Sequence, residues 1–103
     1  MIPLRPGAKI TVRVEVKRQT GSGAVSLTTQ QRRIVDASKT LITGFDWSTC
    51  TWTPDDANES GILSALFDST AVGLTAVGRY FVEFRGVIGP ELYKEEVMIE
   101  VTN

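Results

Sequence analysis

The sequence predicts an all-β chain, a sandwich or barrel of about seven strands. Three observations carry that prediction. Apolar and polar residues alternate with period two in several long runs, which marks strands buried on one face. Turn signals built on Gly, Pro, Asp and Ser recur roughly every 8–15 residues, the spacing of a sandwich. No segment carries a convincing amphipathic helix, and the many Thr and Val residues favour strands.

The elements follow in order. Residues 1–7 contain Pro3 and Pro6 and read as an edge strand or an extended N-terminal arm, because Pro cannot donate to a ladder. Ile10, Val12, Val14 and Val16 alternate with Thr11, Arg13, Glu15 and Lys17, a half-buried strand. Residues 19–24, QTGSGA, form a loop. Residues 27–35 are a weaker strand with Ile34 and Val35 at its buried end. Residues 36–39, DASK, make a turn, and Leu41 and Ile42 begin a short strand that stops near Gly44. Residues 51–53 form a strand ended by Pro54, followed by a polar loop over residues 55–60. In residues 62–67, Leu63, Ala65 and Phe67 share one face and Ile62, Ser64 and Leu66 the other. Residues 68–77 connect without a stable helix, since Gly73 and the β-branched Thr70, Val72, Thr75 and Val77 disfavour one.

The chain closes on a long antiparallel hairpin. Tyr80, Val82 and Phe84 alternate with Phe81, Glu83 and Arg85; Ile88-Gly89-Pro90-Glu91 turns; Tyr93, Val97, Ile99 and Val101 alternate with Lys94, Glu96, Met98 and Glu100. Glu95 falls on the apolar side, which calls for an exposed strand end or a register shift there. Tyr80, two residues after Gly78 at the start of a late strand, has the placement of a tyrosine corner.

Composition bounds the rest. The 103 residues make one domain, 1–103, and 42% hydrophobic with 22% charged content is that of a soluble globular chain. The net charge of −1 gives no drive toward nucleic acid or anionic membrane. Residues 1–51 carry +5 and residues 52–103 carry −6. Interleaved strands would mix these charges; a molecule that stacks head to tail would keep them apart. Cys50 is alone, so there is no internal disulfide. The opening MIPLRPGAKI has no basic segment ahead of a long apolar core and is not a signal peptide. No stretch nears the roughly 20 apolar residues of a membrane span.

Catalytic chemistry is poorly supplied. Without histidine there is no Ser-His-Asp or Cys-His arrangement, and one cysteine cannot hold zinc. GSG at residues 21–23 lacks the Lys of a phosphate loop. Residues 56–61, DANESG, match the first half of a calcium loop, but its twelfth position is Phe67 where a Glu is required. The adjacent Asp55 and Asp56 read as a solvated loop. Trp47 and Trp52 either fill the core, at least one of them inside, or form an aromatic platform. No cofactor, metal, nucleic acid or membrane is expected as a partner, and the chain is not expected to be an enzyme.

The opening PGAKITVRVEV (6–16), the central tryptophan segment, GILSALFDST (61–70) and the closing GRYFVEFRGVIGPELYKEEVMIEV (78–101) resemble small immunoglobulin-like β-sandwich proteins of tailed bacteriophages. The resemblance spans nearly the whole chain and implies a single immunoglobulin-like antiparallel β-sandwich ending in a long β-hairpin. It implies a non-enzymatic virion structural protein, a capsid decoration or head–tail accessory piece, made in the host bacterial cytoplasm and carried in the virion. The expected partners are other virion proteins, a major capsid or neck or tail protein, with a homo-oligomer as a further option. The expected contact residues are Met1, Ile2, Pro3, Leu4 and Arg5 of the arm, with Trp47, Trp52, Asp55 and Asp56. The alternative is a carbohydrate- or cell-surface-binding module, with Trp47, Trp52 and the loop 55–60 as its recognition surface.

Overall fold

The computed structural model describes residues 2–17 and 23–103. Eight strands are seen: β1 (Ile2–Leu4), β2 (Lys9–Lys17), β3 (Leu27–Asp36), β4 (Ser48–Thr49), β5 (Thr51–Asp55), β6 (Ser60–Asp68), β7 (Gly78–Ile88) and β8 (Glu91–Val101). They form two sheets packed face to face, in the orders β1-β8-β7-β3-β4 and β2-β6-β5. Hairpins join β5 to β6 and β7 to β8, while the chain changes sheet between β1 and β2, β2 and β3, β4 and β5, and β6 and β7. This is the immunoglobulin-like sandwich. All strand pairs are antiparallel except β1 with β8, which is parallel from Ile2↔Ile99 to Leu4↔Val101.

The alternating patterns land as the pleat requires. Val12, Val14 and Val16 of β2 and Leu63 and Phe67 of β6 face inward and meet Ile34, Tyr80, Val82, Phe84, Ile99 and Val101 of the larger sheet. Phe67 and Tyr80 touch across the interior, ring centroids 5.7 Å apart. The Tyr80 hydroxyl donates to the Ala76 carbonyl at 2.8 Å, so the tyrosine corner is built and ties the β6–β7 connection to the start of β7. Leu74 anchors that connection in the core, and residues 69–77 contain no helix.

The register of β7 with β8 is unbroken from Gly78↔Val101 to Ile88↔Glu91. Neither expectation for Glu95 holds: the register does not shift, and Glu95 lies in the middle of β8, not at its end; it pairs with Phe84 where β8 has no second neighbour and so stays exposed. The one register break lies in β3 between Thr28 and Gln31, where Thr29 has φ 56°.

Several local expectations change. Leu41 and Ile42 do not make a strand; Leu41 forms a single bridge to Val35. Pro54 does not end β5, which continues to Asp55, because β5 is an edge strand and needs partners on one side only. Residues 2–4 are not a free arm. They are the edge strand of the larger sheet, with Ile2 and Leu4 packed on the core and the Thr102 N–H donating to the Leu4 carbonyl at 2.6 Å. Neither tryptophan is fully inside. Trp52 is half-buried against the core from β5, and Trp47 lies on the opposite, outer side of the larger sheet.

The charged halves mix. Lys9–Asp68, Arg33–Glu83 and Lys39–Glu96 each join a cation of residues 1–51 to an anion of residues 52–103.

Candidate functional site

The outer face of the larger sheet holds the densest grouping of aromatic and charged side chains. Alternation turns Gln31, Arg33 and Val35 of β3 outward, with Phe81, Glu83, Arg85 and Val87 of β7 and Leu92, Lys94, Glu96 and Met98 of β8. Register arranges them in rows. Gln31, Arg85 and Lys94 form one; Arg33, Glu83 and Glu96 the next; Val35, Phe81 and Met98 the third.

Trp47 covers the first two rows. It stands just before β4 on the segment that returns alongside β3. The Arg85 guanidinium carbon lies 3.9 Å from its ring centroid and that of Arg33 lies 4.7 Å away, both within cation–π range. Each guanidinium is held from its other side. Arg85 Nε and Nη2 donate to Gln31 Oε1 at 2.9 and 2.7 Å, and Arg33 Nε pairs with Glu83 Oε1. The Trp47 N–H of the backbone donates to Asp46 Oδ1 at 2.7 Å. The ring is thus fixed before any partner arrives.

Beside the ring runs a groove of about 320 Å³, lined by Arg33, Trp47, Glu83, Phe84, Lys94, Glu95 and Glu96. Its charges are mixed. Arg85 faces Lys94 and Glu83 faces Glu96 across the β7–β8 ladder, two like-charge pairs that do not stabilise each other. Glu96 is relieved by Lys39, whose Nζ donates to it at 2.7 Å and also sits 3.5 Å above the Phe81 ring. Lys94 and Arg85 keep no carboxylate partner among the described residues.

The other residues expected at a site are scattered. Trp52 faces inward on β5 with its ring lying over Gly61. Trp47, on the segment before β4, lies over the outer face of the larger sheet, whereas Trp52 belongs to the smaller sheet; they make no ring contact, so the shared aromatic platform does not form. Asp55 closes β5 and Asp56 opens a single 3₁₀ turn, Asp56–Asn58, both exposed. Asn58 Nδ2 donates to Asp55 Oδ2 at 2.8 Å, and no metal-ligating cluster is present there or elsewhere among the described residues. Pro3 and Arg5 are exposed while Ile2 and Leu4 turn into the core, and Met1 lies outside the described residues.

Gln31, Arg33, Glu83, Arg85, Lys94 and Glu96 were not singled out by the sequence. Alternation places Glu83 and Arg85 on a solvent face, yet only the β3–β7–β8 register brings them beneath Trp47. Burial pushes the Cys50 thiol up and burial raises Tyr93, with the Glu95 charge adding to it.

Comparison with known proteins matches no family model, no curated protein and no solved structure.

Proposed function

We propose that this chain is a non-enzymatic virion structural protein of a tailed bacteriophage, bound to the assembled capsid or neck surface through the outer face of its larger sheet. The virion class rests on the sequence resemblance, which spans nearly the whole chain. The docking face rests on one observation: Trp47 held on Arg33 and Arg85. Trp and Arg are the residue types that dominate binding energy at protein interfaces, and they do so from the centre of a patch. Here they are already locked together, which lowers the ordering entropy that a partner would otherwise oppose. The surrounding rows of mixed charge suit a rim that selects its partner by electrostatic fit.

The test is sedimentation of intact particles from the source culture through a density gradient, with the chain followed by antibody. The native chain bands with particles at a fixed ratio to the major shell protein. The Trp47→Ala chain stays at the top as free protein while keeping its native circular dichroism. A native chain that never bands with particles defeats the virion reading, and glycan-array binding to the Trp47 groove becomes the next question. A Trp47→Ala chain that bands as well as the native one moves the contact to another surface.

A further inference from the structure

We infer that β2 is a self-association edge, which joins two copies of this chain in antiparallel fashion about Val14. Among the described edge strands, the others are very short, interrupted by Pro or carry an inward-phase charge, and β2 is none of these. β1 has three residues and contains Pro3, and β4 has two residues. β5 carries Pro54, which has no N–H to donate. The open part of β8 turns Glu95 toward the apolar side, and an inward-phase charge is a device that blocks strand addition. A copy centred there would set Glu95 against itself.

β2 has none of these features. It runs nine residues without Pro or Gly, and its register with β6 is unbroken from Lys9↔Asp68 to Lys17↔Ser60. β6 is its one neighbour. Its outward residues Lys9, Thr11, Arg13, Glu15 and Lys17 are all exposed.

Those charges select the partner. With the two-fold axis on Val14, Arg13 meets Glu15 twice, Thr11 meets Lys17, and Val12 meets Val16 on the inner face. With the axis on Arg13, that residue meets itself and Lys9 meets Lys17. With the axis on Glu15, that residue meets itself and Arg13 meets Lys17. Like charges directly opposite are unfavourable, and opposite charges are favourable. An axis on Val12 would pair Lys9 with Glu15, but Lys9 is already beside Asp68 at 3.7 Å and Arg13 would face Thr11. Arg13 has no acidic partner among the described residues of its own chain; Glu15 of a second copy supplies one, in exchange for the exposed Lys17 that Glu15 meets at 3.4 Å in its own chain. The joined product is a continuous six-stranded sheet, since each copy brings its three-stranded sheet β2-β6-β5.

The inference does not rest on the virion reading, because it is tested on the purified chain alone. Sedimentation velocity over a rising concentration series is expected to show the 11.3 kDa chain converting to a dimer. Arg13→Glu places like charges at both crossings and is expected to weaken the dimer by roughly tenfold or more. The double variant R13E/E15R exchanges the charges, restores both attractions and is expected to recover the native dimer. Both substituted side chains, Arg13 and Glu15, face solvent, and melting curves confirm that each variant folds. A chain that stays monomeric at every concentration overturns the inference. So does a dimer indifferent to Arg13→Glu, or a double variant that fails to recover.

Discussion

Gly61 shows how a residue without a side chain sets the place of one with the largest. A Cβ at Gly61 would lie 2.1 Å from a Trp52 ring carbon, with two further ring atoms within 2.7 Å. The indole therefore lies flat across β6 because position 61 leaves the space. Gly86 has a superficially similar role beneath Leu27, where a Cβ would approach Leu27 Cδ1 at 2.8 Å. The difference is the neighbour: Leu27 presents the mobile end of an aliphatic chain, whereas Trp52 presents a rigid ring backed by the core. Gly61→Ala is expected to destabilise the fold by about 2–3 kcal/mol and Gly86→Ala by about 1 kcal/mol, as overpacking typically does. Urea denaturation of the two variants checks the order; a reversed order defeats the argument.

A second prediction at this scale concerns Asp68. The Thr70 hydroxyl and the Thr70 N–H both donate to Asp68 Oδ1, the latter at 2.9 Å. These bonds, with the Lys9 charge as a smaller cause, hold its carboxyl below the ordinary 3.8. A carboxylate whose pKa is lower folded than unfolded favours the folded state when charged. Its stabilisation is present above about pH 4 and is lost as pH falls through the lower folded value. Thr70→Val removes the hydroxyl donor, and carboxyl NMR titration is expected to show the Asp68 pKa move up toward its ordinary value. No movement would mean that the hydroxyl is not the main cause.

At the scale of the element, the β7–β8 hairpin rests on its turn. Gly89 has φ 58°, a left-handed conformation that a side chain disfavours. A Cβ there would meet nothing within 4 Å, so Gly89→Ala isolates backbone strain from any clash. The expected cost is about 1 kcal/mol, with the native near-UV spectrum retained. A neutral result would indicate that the turn relaxes into a different type. The same hairpin shows what alternation can and cannot say. Tyr80, Val82 and Phe84 inward and Glu83 and Arg85 outward were legible, since period two permits only one assignment once a core exists. Val35 is the counterexample. It is 1% exposed, as is Ile34, although it stands on the opposite face of β3 and outside the main core cluster. A pair of adjacent buried residues does not reveal which of them points to the core.

At the scale of the molecule, three ion pairs between the two halves of the chain offset part of the asymmetry of +5 and −6. Each follows from tertiary placement: Arg33 of β3 lies beside Glu83 of β7, Lys9 of β2 lies opposite Asp68 of β6, and Lys39, just after β3, reaches across to Glu96 of β8. No head-to-tail electrostatic polarity is needed to account for the composition. The two surfaces proposed for contact are the face with Trp47 over Arg33 and Arg85 and the edge of β2. These two are separable. Trp47→Ala is expected to remove particle binding and leave dimerisation by β2 untouched, because the ring packs on β3 and β7 of the larger sheet and β2 belongs to the smaller one. Gradient sedimentation and sedimentation velocity on the same variant check this, and loss of both activities would show that the face and the edge are one site.

The amino-acid sequence by itself determined the fold class, most strand positions, the inward faces of β2, β7 and β8, the two faces of β6, and the tyrosine corner. Each follows from local rules: period-two alternation, turn chemistry and the short reach of Tyr80 to Ala76. Only the tertiary structure decided the rest. It put residues 2–4 beside β8 as an edge strand, parted Trp47 from Trp52, and set Gln31, Arg33, Glu83, Arg85, Lys94 and Glu96 into rows around one ring. The physical reason is sequence separation. Arg33 and Glu83 are 50 residues apart and Lys39 and Glu96 are 57, and which residue lies opposite which depends on the register between strands distant in the chain.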